Sequence, residues 1–536
     1  MQRIHEFFEN PARLRAMLAS GMGLVAALAF GLLVGSADLE NVVLISAALA
    51  FCFLIVFVRE FWWAPLVFLS ASGFRTTSVG FNLTGFEIGF TVVLISYAIG
   101  MAMRTIEVAR PQFGVSRFAG VLFAYLAIHC ALVVTYNRYM DPQGLKNIIR
   151  SYYSTIAPLL FCILLARYCQ PRTVKPILIS LLAFGAMLIT VAVPISILDV
   201  DPFHLEMLST GVDWLNPESA GPALRSSSAF FFFGIALWPA VSGFGRKVLL
   251  SLFIGITAVG TLASSGRIAL AACFLGAVIF ALIRRKFGFL AVALAGAITI
   301  SAIVTQAPEI LYRLPNSMHR ALSMVNFSRT ETSMGEATQL SDKWHSELRS
   351  ESLKYWTETW ATFAFGHGFG AWDDSLDAKT FSVDFENAKQ IAIRMGKTEN
   401  AFSSITNIFG LCGLLLYAAF AVNLWFRLWR MRQRTPERSF SQAMCDFSLV
   451  YLALFIAFAA FAGGPPGWEI FYWMLGLLAS RSHLEQAPET APVETPSLWS
   501  APLRESLEAE SGASTISPRE RTANRRLMRT REGDRR

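Results

Sequence analysis

Long apolar runs constrain this chain more than any other feature of its sequence. Ten of them come close to or exceed the roughly 18 residues that a helix needs to cross a bilayer, and four shorter runs accompany them. The runs 61–74 and 468–480 are short enough to be re-entrant or strongly tilted. The sequence therefore predicts an all-α polytopic membrane protein, a bundle of about 12 to 14 transmembrane helices. In chain order the runs are residues 17–35, 41–58, 61–74, 86–103, 118–136, 151–166, 174–198, 227–244, 248–263, 268–283, 287–304, 401–424, 446–462 and 468–480.

Composition supports the same class. Hydrophobic residues make up 54% of the chain, charged residues 16%, and the mean hydropathy is +0.47, which excludes an ordinary cytosolic enzyme. The net charge is +8. In so apolar a chain, a basic excess indicates the topological charge bias of membrane proteins rather than nucleic-acid binding.

The positions of the cations predict the topology. If the runs alternate across the membrane, 20 cationic side chains fall in the N-terminal segment and the inner loops, and only six in the short outer segments. Because cations accumulate on the cytoplasmic side, both termini are predicted to be cytoplasmic. The first run follows Arg3, Arg13 and Arg15 and lacks a small-residue cleavage site, so we expect a retained helix and not a signal peptide.

Two polar segments separate the predicted domains. One is a large loop that alternation places outside, near neutral and mixed in charge; the other is a C-terminal segment rich in Pro, Ser, Glu and Arg, typical of disorder. The predicted domains are an N-terminal transmembrane bundle (1–304), a large, mainly helical outer loop (305–400), C-terminal transmembrane helices (401–480) and a disordered cytoplasmic tail (481–536).

The outer loop contains one clear helical pattern. Residues 341–363 are predicted as a single helix that begins at Ser341 or Asp342. Apolar residues recur on one face of it, and this stripe either packs on the bundle or the membrane interface, or offers a stacking surface for sugars. The stripe consists of Trp344, Leu348, Trp356 and Trp360.

Three arginines on the outer side oppose the charge bias. Arg150, Arg225 and Arg267 each lie beside a predicted helix end. A guanidinium suits bidentate phosphate binding, although interfacial snorkelling to lipid headgroups explains the same positions. No Walker loop, dinucleotide fingerprint, HExxH motif or metal-type cysteine spacing occurs, so we predict no cofactor and no metal, and an activated substrate or a gradient must supply energy.

One histidine lies inside an apolar run. His129, in run 118–136, is either a functional group or a neutral, hydrogen-bonded packing residue.

At Arg267 the sequence resembles a known family. The run SSGRIALAACFLGAVIFALIRRK (264–286) is similar to the serine–arginine helix of the O-antigen ligase and polysaccharide polymerase superfamily of membrane glycosyltransferases. Four more segments resemble elements of that family, in its order. They are RSSSAFFFF (225–233), YWTETWATFAFGHGFGAW (355–372), ENAFSSITNIFGLCGLLLY (399–417) and WMLGLLASR (473–481).

The resemblance implies a function and a location. The implied reaction moves a glycan from a polyprenyl (undecaprenyl) diphosphate carrier to an acceptor hydroxyl, at the periplasmic face of the cell inner membrane. The implied partners are the lipid-linked glycan, an acceptor glycan or glycolipid, the bilayer, and a chain-length regulator or other assembly proteins, with no nucleic acid. The glycine-rich, aromatic-flanked GHGFGAW is closer to the exopolysaccharide polymerase branch than to lipid A-core ligases. A polymerase is therefore favoured over a ligase.

The resemblance also implies site residues. Ligases of the family carry His-Asn where this chain has Glu399-Asn400, so the base is Glu399 or His367. Arg225 and Arg267, with Arg150, are expected to stabilise the leaving diphosphate. The residues expected to contact the glycan are Gly366, Gly368, Gly370, Asn400, Trp360 and Trp372.

Simpler roles stay open for several of these residues. Glu399 is also placed to cap the following helix, and His367 to hydrogen-bond within its own glycine turn. The glycines fit either close backbone approach to a sugar or positive φ. A flippase for lipid-linked sugars is the alternative of another class, but the chain shows no convincing internal repeat.

Overall fold

The described part of the chain covers most of the helical bundle after residue 116. The computed structural model describes residues 75–76, 83–84, 117–137, 142–168, 186, 189–190, 192–195, 224, 227–264, 267–306, 333–370, 389–390, 392–393, 398, 400–461, 465–467 and 469–484. The first four predicted runs and most of run 174–198 lie outside these residues. The chain divides into a compact unit, Met1–Leu484, and a second unit, Glu485–Arg536, which is also outside them.

The described secondary structure is almost entirely helical, as the sequence predicts. Two short strands, β1 (Arg75–Thr76) and β2 (Leu83–Thr84), pair antiparallel. The helices are α1 (Arg117–Tyr136), α2 (Pro142–Tyr168), α3 (Ser227–Leu237), α4 (Phe244–Ala263), α5 (Arg267–Arg284), α6 (Phe287–Gln306), α7 (Ser333–Trp356), α8 (Trp360–Phe365), α9 (Ala401–Arg434), α10 (Phe440–Phe458) and α11 (Glu469–Leu484).

Five described helices are long and apolar enough to cross a membrane: α1, α2, α4, α9 and α10. Shorter apolar helical stretches, within 10–17 residues, occur in α3, α5, α6 and α11. Lengths and composition of this kind are typical of a helical membrane protein.

The structure corrects three sequence predictions. The single helix over 341–363 is wrong: α7 starts earlier, at Ser333, and ends at Trp356, and α8 begins at Trp360. A new helix starts there because Thr359 and Thr362 form a reciprocal capping box. Trp360 is therefore not on the same helix as the rest of the predicted stripe.

The other two corrections concern charged residues. Arg150 lies well inside α2, which begins at Pro142, so it is not at a helix start. Asp446 is not the first residue of a span, because α10 already begins at Phe440 and carries Asp446 two turns into the helix.

Small residues bring α10 and α11 together. A Cβ on Gly476 would lie 2.8 Å from the Cα of Cys445, so only glycine permits this approach. Ser448 Oγ donates to the Tyr472 carbonyl at 2.8 Å and accepts from the Gly476 amide at 2.9 Å. Close backbone contact combined with buried serine hydrogen bonds is how helices associate where water is absent.

Contacts between helix ends give the relative directions of three helices. At one end, the Phe402 amide at the start of α9 donates to the Ala459 carbonyl that follows α10, at 2.8 Å. At the other, Arg284 and Arg432, near the ends of α5 and α9, both bind Asp446, near the start of α10. Helices α5 and α9 therefore run in the same direction, and α10 runs in the opposite one.

Candidate functional site

Helix α9 is broken near its beginning. Gly410 has φ 64° and ψ −170°, which no helix accommodates, so residues 401–409 and 411–434 form two separate helical pieces. The first piece is polar and yet buried: each of its polar side chains is at most 3% exposed. These residues are Ser403, Ser404, Thr406 and Asn407. A helix break at membrane depth frees backbone groups that must find other partners.

The loop segment after α8 supplies those partners. We call residues 366–370 the glycine turn. The His367 amide donates to the Asn407 carbonyl at 2.7 Å, and the Gly368 amide to the Ile408 carbonyl at 2.9 Å. The carbonyl of Phe409 accepts from the Tyr125 hydroxyl at 2.6 Å. Three consecutive carbonyls at the break are thereby satisfied, and we call this contact between the glycine turn and residues 407–410 the junction.

Two glycines of the turn are required by the junction itself. Gly366 and Gly368 have φ of 78° and 77°, in the region that favours glycine. A Cβ on Gly366 would come within 2.6 Å of the Gly410 nitrogen, so the two backbones meet without room for a side chain. Positive φ, one of the two predicted reasons for glycine, applies to both residues. The close approach of Gly366 is to α9, and the predicted approach to a sugar stays a prediction. Gly370 has no positive φ.

His367 lies at the junction, held from α7. Its ring stacks on Tyr355, with centroids 3.7 Å apart and planes 12° from parallel. Its Nε2 lies 2.8 Å from the Tyr355 carbonyl, which can only accept, so Nε2 carries the proton in the neutral ring. The ring hydrogen bond of His367 is thus made to α7 and not within the glycine turn, the alternative that the sequence left open. Within the described residues Nδ1 has no hydrogen bond, which leaves its lone pair available as a proton acceptor.

The start of α9 is capped by Asn400. Its Oδ1 accepts from the Ser403 amide at 2.7 Å, and its Nδ2 donates to the Thr398 carbonyl at 3.3 Å. With 2% exposure, Asn400 uses its amide to hold the chain and not to face a cleft. The capping role that the sequence left open for Glu399 thus belongs to its neighbour. Glu399 itself lies outside the described residues.

The predicted phosphate-binding arginines are described only in part. Arg225 and Trp372 are outside the described residues, and of Arg267 the structure gives the backbone, at the first position of α5. Two contacts relate the neighbouring segments. Ser227 Oγ, buried and without a partner in the described part of the chain, lies 2.8 Å from the position of a Cβ on Gly260, in the last turn of α4. The start of α3, two residues after Arg225, therefore packs on the end of α4, just before Arg267.

The tryptophans divide between core and surface. Trp356 is 9% exposed, and its Nε1 donates to the Phe363 carbonyl at 3.0 Å. Phe363 stacks on both Trp356 and Trp360, at centroid distances of 5.0 and 5.5 Å. Trp360 is 80% exposed. One face of this aromatic stack is therefore open, while Trp344 packs with Leu348 in a small core.

Sequence reasoning missed a charged group at the far end of α9. Asp446 is fully buried and binds Arg284 Nε and Arg432 Nε, each at 2.6 Å. The same guanidinium groups donate to the carbonyls of Ala236 and Ile283, at 3.1 and 2.9 Å. We call these three charged residues the Arg–Asp–Arg cluster. The sequence placed Asp446 at the start of the run 446–462 and gave no sign that it pairs with two arginines.

No group of three or more His, Cys, Asp or Glu that could hold a metal ion occurs in the part of the chain that the structure describes. The five cysteines described there are free thiols: Cys130, Cys162, Cys273, Cys412 and Cys445. No protein-family model and no curated protein matches this chain.

Proposed function

We propose that the protein is a membrane glycosyltransferase that moves a glycan from undecaprenyl diphosphate to an acceptor hydroxyl, in cell-surface polysaccharide assembly. The acceptor oxygen forms a bond to the anomeric carbon, the bond from that carbon to the diphosphate breaks, and the electron pair leaves with the diphosphate. The acceptor's proton passes to a base. Polymerase activity is favoured over ligation to lipid A-core or protein by the GHGFGAW segment.

The junction is the observation that carries this proposal. Two segments that resemble family elements, 355–372 and 399–417, meet there through backbone hydrogen bonds. His367 is held in one orientation with Nδ1 open. A positioned imidazole with an available lone pair is suited to accept a proton from a hydroxyl. Glu399 is the other candidate base.

One further feature supports the assignment of the diphosphate to arginines. The segments that follow Arg225 and precede Arg267 are neighbours through Ser227 and Gly260. In this proposal Arg225 and Arg267, with Arg150 as a third, supply guanidinium donors for the charge that develops on the leaving group.

The proposed orientation places the junction and the loop 305–400 in the periplasm and both termini in the cytoplasm, with the protein in the inner membrane. The cations of the Arg–Asp–Arg cluster and of the nearby segments 284–286 and 427–438 then lie at the cytoplasmic side. A reporter fused after Leu340 is expected to be active outside, and one after Arg434 inside; the opposite pattern overturns this orientation.

A flippase for the same lipid-linked glycans is the second candidate, and the broken helix α9 is the observation that favours it. Interrupted helices line substrate paths in transporters. Here, however, the freed carbonyls of Asn407, Ile408 and Phe409 are all occupied by protein donors. That arrangement suits a fixed site better than a transport path.

Arg267→Lys tests the enzyme proposal, because lysine keeps the charge but loses the bidentate fork. In cells, the variant is expected to lose most glycan assembly while still inserting in the membrane. Arg430→Lys, an exposed arginine near the opposite end of α9, is the matched control and should assemble glycan normally. Wild-type product levels in Arg267→Lys would remove that arginine from the mechanism.

Glu399→Gln distinguishes the two bases, since glutamine keeps the shape and removes the basicity. Full activity assigns the base to His367. A deletion strain separates polymerase from ligase: single lipid-linked repeats without long chains indicate a polymerase, and unattached full-length chains a ligase.

A further inference from the structure

His129, on the membrane helix α1, is committed at both ring nitrogens. It is 7% exposed, and Nε2 lies 2.8 Å from the carbonyl of Phe365. Because a carbonyl only accepts, Nε2 carries the hydrogen of the neutral ring. Nδ1 then accepts from the hydroxyl of Tyr152, on α2, at 2.7 Å. With both ring nitrogens hydrogen-bonded within the protein, His129 has none left to bind a ligand.

Through its two partners, Phe365 and Tyr152, His129 is connected to the chain before and after His367. Phe365 ends α8 immediately before the glycine turn. Tyr152, the other partner of His129, contacts the turn after His367: its ring meets Phe369 edge-to-face with centroids 4.9 Å apart, and its hydroxyl lies 3.1 Å from the position of a Cβ on Gly368.

The glycine turn is therefore held by contacts with three helices. Carbonyls of α9 at the break accept from its His367 and Gly368 amides, while His129 of α1 and Tyr152 of α2 hold Phe365 and Phe369. Within the part of the chain that the structure describes, the His367 ring hydrogen-bonds to and stacks on Tyr355, on α7.

We propose that His129 is a positioning residue for the proposed glycosyl transfer: it holds the glycine turn in place so that Nδ1 of His367 keeps a fixed orientation toward the acceptor hydroxyl. This inference rests on the proposed function with His367 as base. Its role is geometric, so removing it should lower kcat far more than it changes KM. A misplacement of about 1 Å costs on the order of 10²-fold in rate.

Three variants of the full-length protein in nanodiscs test the proposal. His129→Phe keeps the bulk and removes both hydrogen bonds. His129→Gln keeps an amide N–H that can reach the Phe365 carbonyl. Ile128→Phe is the matched control. This position is 62% exposed on the outside of α1, so the variant adds an aromatic ring next to His129 in the chain without contacting the groups that hold the glycine turn.

Two measurements are made on each variant: amide hydrogen exchange across residues 365–369, and kcat and KM with a polyprenyl-diphosphate-linked glycan. In His129→Phe we expect faster exchange, a kcat lower by on the order of 10²-fold, and a KM within about twofold. His129→Gln should restore exchange protection and most of kcat, and Ile128→Phe should match the wild type.

The proposal is overturned if His129→Phe keeps the wild-type exchange and kcat, if exchange rises while kcat does not fall, or if His129→Gln is as impaired as His129→Phe. If His129→Phe does not insert, Tyr152→Phe, which removes the donor to Nδ1, should change both readouts in the same direction. A wild-type protein without transfer activity contradicts the proposed function, whereas the exchange comparison still decides whether His129 holds the turn.

Discussion

Polar groups are buried at both ends of helix α9, but their partners differ between the two ends. At the far end full charges pair with each other, in the Arg–Asp–Arg cluster, and at the near end neutral backbone groups do so, in the junction. In the cluster, both carboxylate oxygens of Asp446 are occupied. At the junction, Asn407 Oδ1 and His367 Nδ1 have no partner within the described residues.

The Arg–Asp–Arg cluster therefore holds helices together, whereas the junction leaves acceptor atoms available for a reaction. Each guanidinium of the cluster is shared between Asp446 and a backbone carbonyl near the end of a helix, so the cluster closes on itself. The junction is also closed along the backbone, yet two of its acceptor atoms have no partner among the residues that the structure describes. A site that must receive a hydroxyl proton needs such atoms.

The largest effect is expected from a substitution that breaks the Arg–Asp–Arg cluster. Asp446→Ala leaves two guanidinium groups buried beside each other, which is expected to cost about 3–5 kcal/mol of unfolding free energy. The SDS mole fraction at half-unfolding in mixed micelles measures it. The combined variant Arg284→Met, Arg432→Met and Asp446→Leu should regain most of that stability, since no charge stays unpaired. Wild-type stability in Asp446→Ala would mean that the cluster does not hold the helices together.

The second-largest effect is expected from a substitution that breaks the junction. Gly410→Ala forces a side chain into φ 64°, ψ −170°, a conformation essentially confined to glycine, and into space occupied by the Ala364 carbonyl. We expect a loss of about 3 kcal/mol in the same unfolding measurement. Gly255→Ala is the control, because a Cβ at that position of α4 meets nothing within 4 Å. Equal stability of the two variants would contradict the close approach at the junction.

How well the sequence predicted these two regions depends on how far apart in the chain the interacting residues are. Apolar periodicity is local, so α4 and α5 begin and end within a few residues of their predicted runs, whereas α2 and α10 overlap their runs but begin earlier. The break between α7 and α8, where the sequence predicted one helix, was missed because the capping pair Thr359 and Thr362 starts a new helix within the apolar stripe.

The long-range contacts could not be read in the same way. His129 was visible as a histidine in an apolar run, but its partner Phe365 is 236 residues away. Likewise, nothing local shows that the glycine turn meets a helix break at Gly410, because GLCG is an ordinary sequence for a membrane helix. The turn's glycines carried the right signal, and only the fold identifies what approaches them.

A smaller effect tests one hydrogen bond at the junction. Tyr125→Phe removes the donor to the Phe409 carbonyl and leaves that carbonyl buried and unpaired, at a cost of about 1–2 kcal/mol. Tyr136→Phe, also on α1 but 87% exposed, should be neutral. SDS unfolding of both variants measures the difference. If they unfold alike, another donor must replace the tyrosine, and the junction is less specific than the cluster.

The smallest effect is expected at an ion pair within residues 305–400, which belongs to neither end of α9. Lys389 Nζ lies 3.1 Å from Glu347 Oε2, and this hydrogen bond lowers the pKa of Glu347 from its ordinary value of 4.5. Because the pKa is lower in the folded state, the pair stabilises the fold above pH 4.5, and that contribution disappears as the pH falls through the folded pKa. Glu347 is a third exposed, so the difference in Tm between wild type and Glu347→Gln should be small at pH 7 and vanish in acid. A difference that grows on acidification would contradict the sign of this shift, and a large one at pH 7 would mean that charge stabilises the loop as strongly as it does the cluster.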